Sequence, residues 1–264
     1  MFTKNEQTGN MKAHQRIIRE EKEREHKNQP KDPLFGTWWE DNHRCTDIKK
    51  AEIKEITYQE ASPIIFKYEW LGTMPTFCTH YFGIYFNNEC GGVVVYGISL
   101  PKAVFKNLFN GKFEDKIRVL SRGACVWWAH PHSGSRLISE SLKILSKKGY
   151  KAVLAYCDTR AGEIGTIYQA CNFLYIGASS GGYEYFIEGR WRTGKGASHY
   201  SHRKRDLSLY KKRERSKKHK YIYLLGSKKE KKEMMKILEP RIKPYPKRKI
   251  GMVETIIKQN IKEL

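Results

Sequence analysis

The chain has 264 residues, 39% of them hydrophobic and 12% aromatic, enough to fold one sizeable domain with appendages. Its 50 Lys and Arg against 28 Asp and Glu give a formal charge of +22, which draws polyanions and makes nucleic acid the first partner to consider. A membrane protein and a secreted one are both excluded on the same reading. No apolar run reaches the length of a span, about 18 residues, neither end carries a lipidation signal, and the N-terminus lacks the apolar stretch of a leader. The expected location is the cytoplasm.

Residues 1–32 are almost entirely polar, with the run Arg19-Glu20-Glu21-Lys22-Glu23-Arg24-Glu25, and read as a loose arm or solvated helix. Residues 33–189 have a globular composition and form the expected core domain. Residues 190–264 form a basic extension, and between Arg190 and Lys249 it carries 23 Lys and Arg against 5 Asp and Glu. Six cysteines (Cys45, Cys78, Cys90, Cys125, Cys157, Cys171) are scattered without a C-x-x-C pair, the pattern of reduced thiols rather than a disulfide frame.

Within the core, Tyr81 to Phe86 and Gly92 to Tyr96 read as a β-hairpin across Asn87–Gly91. Ile117 to Trp128 reads as a strand interrupted at Ser121-Arg122-Gly123, where the glycine predicts a bulge or a close backbone approach. Ser135 to Lys148 has helical apolar spacing, Lys151 to Cys157 reads as a strand buried on both faces, and a second helix fits Glu163 to Cys171. The strands Leu174 to Gly177 and Tyr183 to Ile187 follow. The order is hairpin, strand, helix, strand, helix, strand, strand.

That order resembles the GNAT (acyl-CoA N-acyltransferase) fold, an α/β architecture with a mixed central sheet flanked by helices, here with basic N- and C-terminal extensions. Ser133-Gly134-Ser135-Arg136 stands between a strand and a helix, where unpaired N–H groups and the positive end of the dipole can cradle the pyrophosphate of an acyl-CoA. Either serine can instead be an N-cap. Tyr168, ten positions after Asp158, can protonate a leaving thiolate, or simply pack. Asp158 lies at the carboxyl end of a strand, where open sheets bind ligands and where aspartates also cap turns. Glu69 beside Trp70 is a candidate base or a satisfied glutamate.

His80-Tyr81-Phe82-Gly83, Gly91-Gly92-Val93-Val94, Leu120-Ser121-Arg122 and Asp158 with Tyr168 occur in an order that resembles the phage Mom family. The resemblance covers roughly Tyr68 to Ile176. It implies a GNAT-like enzyme that uses acetyl-CoA to convert adenine in DNA to a methylcarbamoyl form and so protects phage DNA from restriction. It also implies catalytic roles for Asp158, Tyr168, His80 and Tyr81, cofactor contacts from Ser133, Gly134, Ser135 and Arg136, and iron held by His80, Tyr81 and Asp158. One geometric conflict accompanies the iron set: neighbours in a regular strand face opposite ways, so His80 and Tyr81 share an ion only at a strand end or bulge. His130 and His132 are a second, weaker metal candidate.

Double-stranded DNA is the implied partner. Trp70 is a candidate for base stacking, and Arg122, Arg190, Arg192, Lys195, Arg203, Lys204 and Arg205 for contact with the nucleic acid, since basic residues interleaved with aromatics suit phosphate binding and stacking. Two other classes fit parts of the same pattern: an ordinary GNAT N-acetyltransferase acting on tRNA, protein or a small amine, and a basic DNA-binding protein with no catalysis.

Overall fold

The computed structural model describes residues 14–27, 47–98, 100–179, 181–187, 189–193 and 206–247. The helices are α1 (His14–Lys27), α2 (Tyr58–Tyr68), α3 (Lys102–Leu108), α4 (Ser133–Lys147), α5 (Thr166–Ala170) and α6 (Lys228–Leu238). The strands of the main sheet are β1 (Glu52–Glu55), β2 (Cys78–Phe86), β3 (Glu89–Gly97), β4 (Ile117–Cys125), β5 (Ala152–Asp158), β6 (Leu174–Ala178) and β10 (Lys218–Leu224), in the order β1-β2-β3-β4-β5-β10-β6. A small second sheet has the order β8-β7-β9, from β7 (Tyr183–Ile187), β8 (Arg190–Thr193) and β9 (Lys212–Glu214).

Local chemistry explains the elements. Asn87 and Asn88 turn the β2–β3 hairpin with φ of 48° and 68°, a conformation asparagine tolerates and a two-residue hairpin needs, so the strands run closer to the tip than a five-residue link would allow. Helix α2 starts at a capping box, with the Glu60 N–H donating to Thr57 Oγ1 and the Thr57 N–H to the Glu60 carboxylate. Helix α5 begins later than its sequence spacing predicts. Gly162 and Gly165 take left-handed φ of 68° and 72°, which leaves Glu163 and Ile164 in a loop before the first turn.

One face of the main sheet carries α4, where the Tyr96 hydroxyl meets Ser141 Oγ at 2.7 Å in a wholly buried pair. The opposite face carries α2 and, further along, α3 and α6, whose Phe105, Leu108, Met234 and Leu238 close over Ile117, Val119, Leu154 and Ile222. Both cores are aliphatic-aromatic, as burial of most of the sheet requires.

The boundary expected at residue 189 is crossed. Strand β10, from the basic extension, lies between β5 and β6 and pairs antiparallel with both, Tyr221 and Ile222 being fully buried in it. Its charge hid the strand, because Lys218, His219 and Lys220 precede the apolar half. At the other end, α1 docks on the core: Arg19 donates to the carbonyls of Trp127 (2.9 Å) and Ala129 (2.6 Å), and Gln15 bonds the Tyr68 carbonyl.

Strands β4 and β5 are the parallel neighbours of an otherwise antiparallel sheet, and they pair only from Ile117↔Ala152 to Leu120↔Ala155. Beyond that level β4 stays with β3 as far as Cys125 and β5 stays with β10 as far as Asp158, so the two strands part. The register slips on β4 at the same height. Val95 faces Arg122 while Tyr96 faces Leu120, which leaves Ser121 as the extra residue of a bulge, two positions from the glycine that predicted it. A mixed sheet opened between two parallel strands and flanked by helices is the GNAT-like layout expected from the element order.

Candidate active site at the parted strands

Three features converge on the gap between β4 and β5. The first is the N-terminus of α4, reached from β4 through Val126–His132. Two of its end amides are satisfied locally, His132 N–H by His130 Nδ1 (3.1 Å) and Ser133 N–H by the His130 carbonyl (2.9 Å). The amides of Gly134 and Ser135 are those an α-helix leaves without intrahelical acceptors. Neither serine is the N-cap, since that position is His132 and makes no side-chain cap bond.

Ser133 is fully buried, and its Oγ has no hydrogen-bond partner in the structure. Such an orphaned hydroxyl costs stability unless something fills the site. At Gly134 a Cβ would stand 2.8 Å from Ile167 Cδ1, so a larger residue there would displace that side chain. Ser135 Oγ folds back to the His132 carbonyl, and Arg136 sits at the rim, 3.3 Å from Glu140.

The second feature is Tyr168 on α5. Its ring is buried against Phe173 and Tyr221, with centroids 5.5 and 5.4 Å away, and its hydroxyl donates to the Tyr156 carbonyl at 3.5 Å, the outer limit of a hydrogen bond. Tyr156 is the first residue of β5 past its pairing with β4. Burial, then the charge of Glu163, pushes the phenol well above its ordinary value, so at neutral pH it is a proton donor.

The third is an acidic group on the α2 side. Glu69 is buried, accepts the N–H groups of Leu71 (2.8 Å) and Gly72 (3.2 Å), and faces the Arg122 guanidinium at 3.7 Å. Burial raises its carboxyl despite those partners. Arg122 also donates to the Thr73 carbonyl at 2.8 Å, so it ties the α2–β2 connection to β4. Its guanidinium also donates to the Ser121 carbonyl at 2.7 Å, so Arg122 is engaged within the protein at this edge of the gap.

The Mom protein family matches residues 50–247 of the 264. The chain belongs to this family. No curated protein matches it at a significant level. Among solved structures it is similar to an IAA acetyltransferase from Bacillus cereus ATCC 14579 (12% identity, TM-score 0.41, covering 67% of this chain and 100% of that one). It is also similar to the ribosomal-protein-S18-alanine N-acetyltransferase from Escherichia coli (9% identity, TM-score 0.39, 67% and 95%). A Bacillus subtilis acetyltransferase in complex with CoA gives 12% identity and a TM-score of 0.38 over 66% and 97%.

In this Mom-family chain the iron set is not assembled. His80 lies under α4, its Nδ1 at 2.8 Å from Thr79 Oγ1 and its Nε2 at 3.3 Å from the Tyr150 hydroxyl, while Tyr81 faces the other way, edge-on to Tyr58 of α2. Asp158 is three strands from His80, about 14 Å by strand spacing alone, and accepts from Ser216 Oγ at 3.0 Å with Lys218 Nζ at 4.0 Å. The alternation of a regular strand therefore prevails, and no group of three or more His, Cys, Asp and Glu suited to a metal occurs among the described residues. His130 and His132 lie with ring centroids 5.3 Å apart and planes tilted by 47°, without a third ligand of that kind among the described residues.

His80 and Tyr81 are likewise not brought to the gap. Burial, with Lys148 and Arg118 beside it, lowers the His80 imidazole below its ordinary value and keeps it neutral at pH 7. Trp70 is partly buried beside Glu69, its backbone N–H donating to Gln15 Oε1 at 3.3 Å. Arg190 and Arg192 lie on β8 of the small sheet, where Trp191 carries the Arg213 guanidinium over its ring at 4.1 Å. Lys195, Arg203, Lys204 and Arg205, with Trp38, Trp39 and Cys45, lie outside the described residues; the other five cysteines are free. No described helix is long and apolar enough to cross a membrane.

One residue of the site escaped the sequence reading. Glu163 lies in the loop before α5, where its N–H donates to the Asp158 carbonyl at 3.3 Å. The signal available was the flanking pair Gly162 and Gly165, which reads as loop rather than as the start of a helix.

Proposed function

We propose that the protein is a DNA-modifying enzyme that uses acetyl-CoA to convert adenine in double-stranded DNA to a methylcarbamoyl form, and that this protects the DNA from restriction. The observation that carries the acyl-CoA half is the fully buried, unpartnered Ser133 Oγ at the N-terminus of α4, beside the gap that Tyr168 faces. Gly134 and Ser135 N–H groups with Ser133 Oγ hold the pyrophosphate, and Arg136 closes the rim. Tyr168 gives its proton to the departing thiolate.

Family membership supports DNA as the acceptor, and the small sheet supports how it is held. There Arg213 stacks on Trp191 and Lys212 lies 5.0 Å over the Tyr183 ring, so cations and aromatic faces are offered together. Trp70, Glu69 and the Arg122-braced connection flank the gap on the α2 side, where an extruded base would enter.

Nucleoside mass spectrometry of plasmid DNA from cells expressing the protein tests this reading. The expected result is a new deoxyadenosine species of methylcarbamoyl mass, absent with a Tyr168→Phe variant. A product heavier by acetyl alone would instead make the protein an ordinary acetyltransferase, and unmodified DNA from soluble protein would overturn the reading.

Helix α1 provides a second check. Its Arg19 pins the carbonyls of Trp127 and Ala129, which lead directly into the α4 amides, and a charge-assisted hydrogen bond of this kind contributes roughly 1.5–3 kcal/mol. Arg19→Ala is expected to weaken acetyl-CoA binding about tenfold in titration calorimetry, through a looser phosphate loop. Unchanged affinity would show that the loop is shaped without α1.

A further inference from the structure

The turn that follows α2 is clamped more firmly than a surface connection needs. The Gly72 N–H closes it on the Glu69 carbonyl at 2.9 Å, so Trp70 and Leu71 are its two central residues. The amides of Leu71 and Gly72 both donate to Glu69 Oε2, at 2.8 and 3.2 Å, while the Trp70 amide donates to Gln15 Oε1 of α1 at 3.3 Å. Glu69 is itself buried against Arg122, and Arg122 holds the next stretch of the connection through the Thr73 carbonyl. The turn lies at the edge of the gap, because Arg122 is the second residue of β4 past its last pairing with β5.

What this scaffold presents outward is apolar. Leu71 is 44% exposed and belongs to neither hydrophobic core, at a position that turns ordinarily fill with glycine, asparagine or aspartate. Phe66, on the last turn of α2, is 52% exposed, and Lys67 next to it also faces solvent. We propose that Leu71 is the wedge that enters the base stack of duplex DNA and fills the space an adenine leaves when it swings into the gap. The inference rests on the DNA-modification reading above and names the residue that supports its extrusion step.

An adenine held inside a duplex cannot reach a group between two strands of a sheet, so it must leave the stack, and the vacated step is costly unless something fills it. Leucine is among the apolar side chains that proteins insert between base steps. A wedge must also not recoil, and here the backbone that bears Leu71 is held by a carboxylate, which a guanidinium braces, and by a carboxamide. Charge fits the same partner. The chain carries a formal +22, Lys67 stands beside the turn, and the turn's own carboxylate is directed inward to Arg122, where it does not oppose phosphates.

Permanganate oxidises thymines that have lost their stacking, so it reads extrusion of the partner adenine apart from the chemistry that follows. The full chain is mixed with acetyl-CoA and plasmid DNA, reactive thymines are mapped by primer extension, and modified deoxyadenosine is measured by nucleoside mass spectrometry on plasmid from expressing cells. The parent is expected to create reactive thymines. Leu71→Ser should lower both readouts about tenfold or more while DNA affinity, which phosphate contacts supply, stays within about threefold. Its urea midpoint should not move, because Leu71 lies outside both cores, and Leu71→Met, which restores an apolar side chain, should recover most of the loss. Parent-like readouts in Leu71→Ser overturn the wedge, as do a loss that Leu71→Met shares and a parent that modifies DNA without exposing thymines. A parent that leaves deoxyadenosine unmodified overturns the DNA reading and this inference with it.

Discussion

Replacing Tyr168 by phenylalanine is expected to lower the rate of thiol release from acetyl-CoA by about 10²–10⁴-fold, the usual worth of a positioned general acid, while leaving acetyl-CoA affinity within about twofold. The ring is the structural part of this residue and the hydroxyl the chemical part. Phe173 and Tyr221 hold the ring, and phenylalanine keeps both contacts. The hydroxyl makes one long bond, 3.5 Å to the Tyr156 carbonyl, so its loss costs at most about 1 kcal/mol of stability. Single-turnover kinetics with calorimetry separates these terms. A variant with lowered affinity and an unchanged rate would make Tyr168 a wall of the site rather than a proton donor. The pH profile adds a sign: burial holds the phenol well above its ordinary value, so deprotonation of Tyr168 should cause no alkaline loss of activity between pH 7 and 9.

How much of this was legible in the sequence depended on whether a residue's role was written in its own neighbourhood. Strand β5 announces itself, because Ala152 to Cys157 is apolar on both faces, and α4 does so through its helical spacing. The bulge at Ser121 was signalled by Gly123. The meeting of Ser133, Tyr168 and Glu69 at one gap was not legible from spacing, since it follows from the parting of β4 and β5, a tertiary event. His80 and Tyr81 were misplaced for the converse reason: adjacency in sequence resembled a ligand pair, whereas strand alternation sends them to opposite faces. Glu163 was absorbed into a helix by periodicity, although the glycines on either side already argued for a turn.

The same contrast governs β10, and it can be measured. Tyr221 is fully buried in the middle of a segment whose composition reads as a solvated basic tail. Its ring packs on Tyr168 and Tyr175 at 5.4 and 5.2 Å and underlies Gly165, and its hydroxyl donates to the Ile164 carbonyl at 2.6 Å while accepting from Gln169 Nε2 at 3.2 Å. Tyr221→Ala is therefore expected to destabilise the whole domain by about 3–5 kcal/mol, as large-to-small changes of buried aromatics do, read as a lowered urea midpoint in a single transition. Tyr221→Phe keeps the packing, and the Ile164 carbonyl still accepts from Gln169 Nε2 at 2.9 Å, so its cost should be smaller, about 0.5–1.5 kcal/mol. If residues beyond 189 were only an appendage, both variants would alter DNA affinity and leave the urea midpoint in place. A fall in the midpoint with the larger loss in Tyr221→Ala would establish that the basic segment completes the catalytic domain, and that the strand carrying it supports the ring of Tyr168.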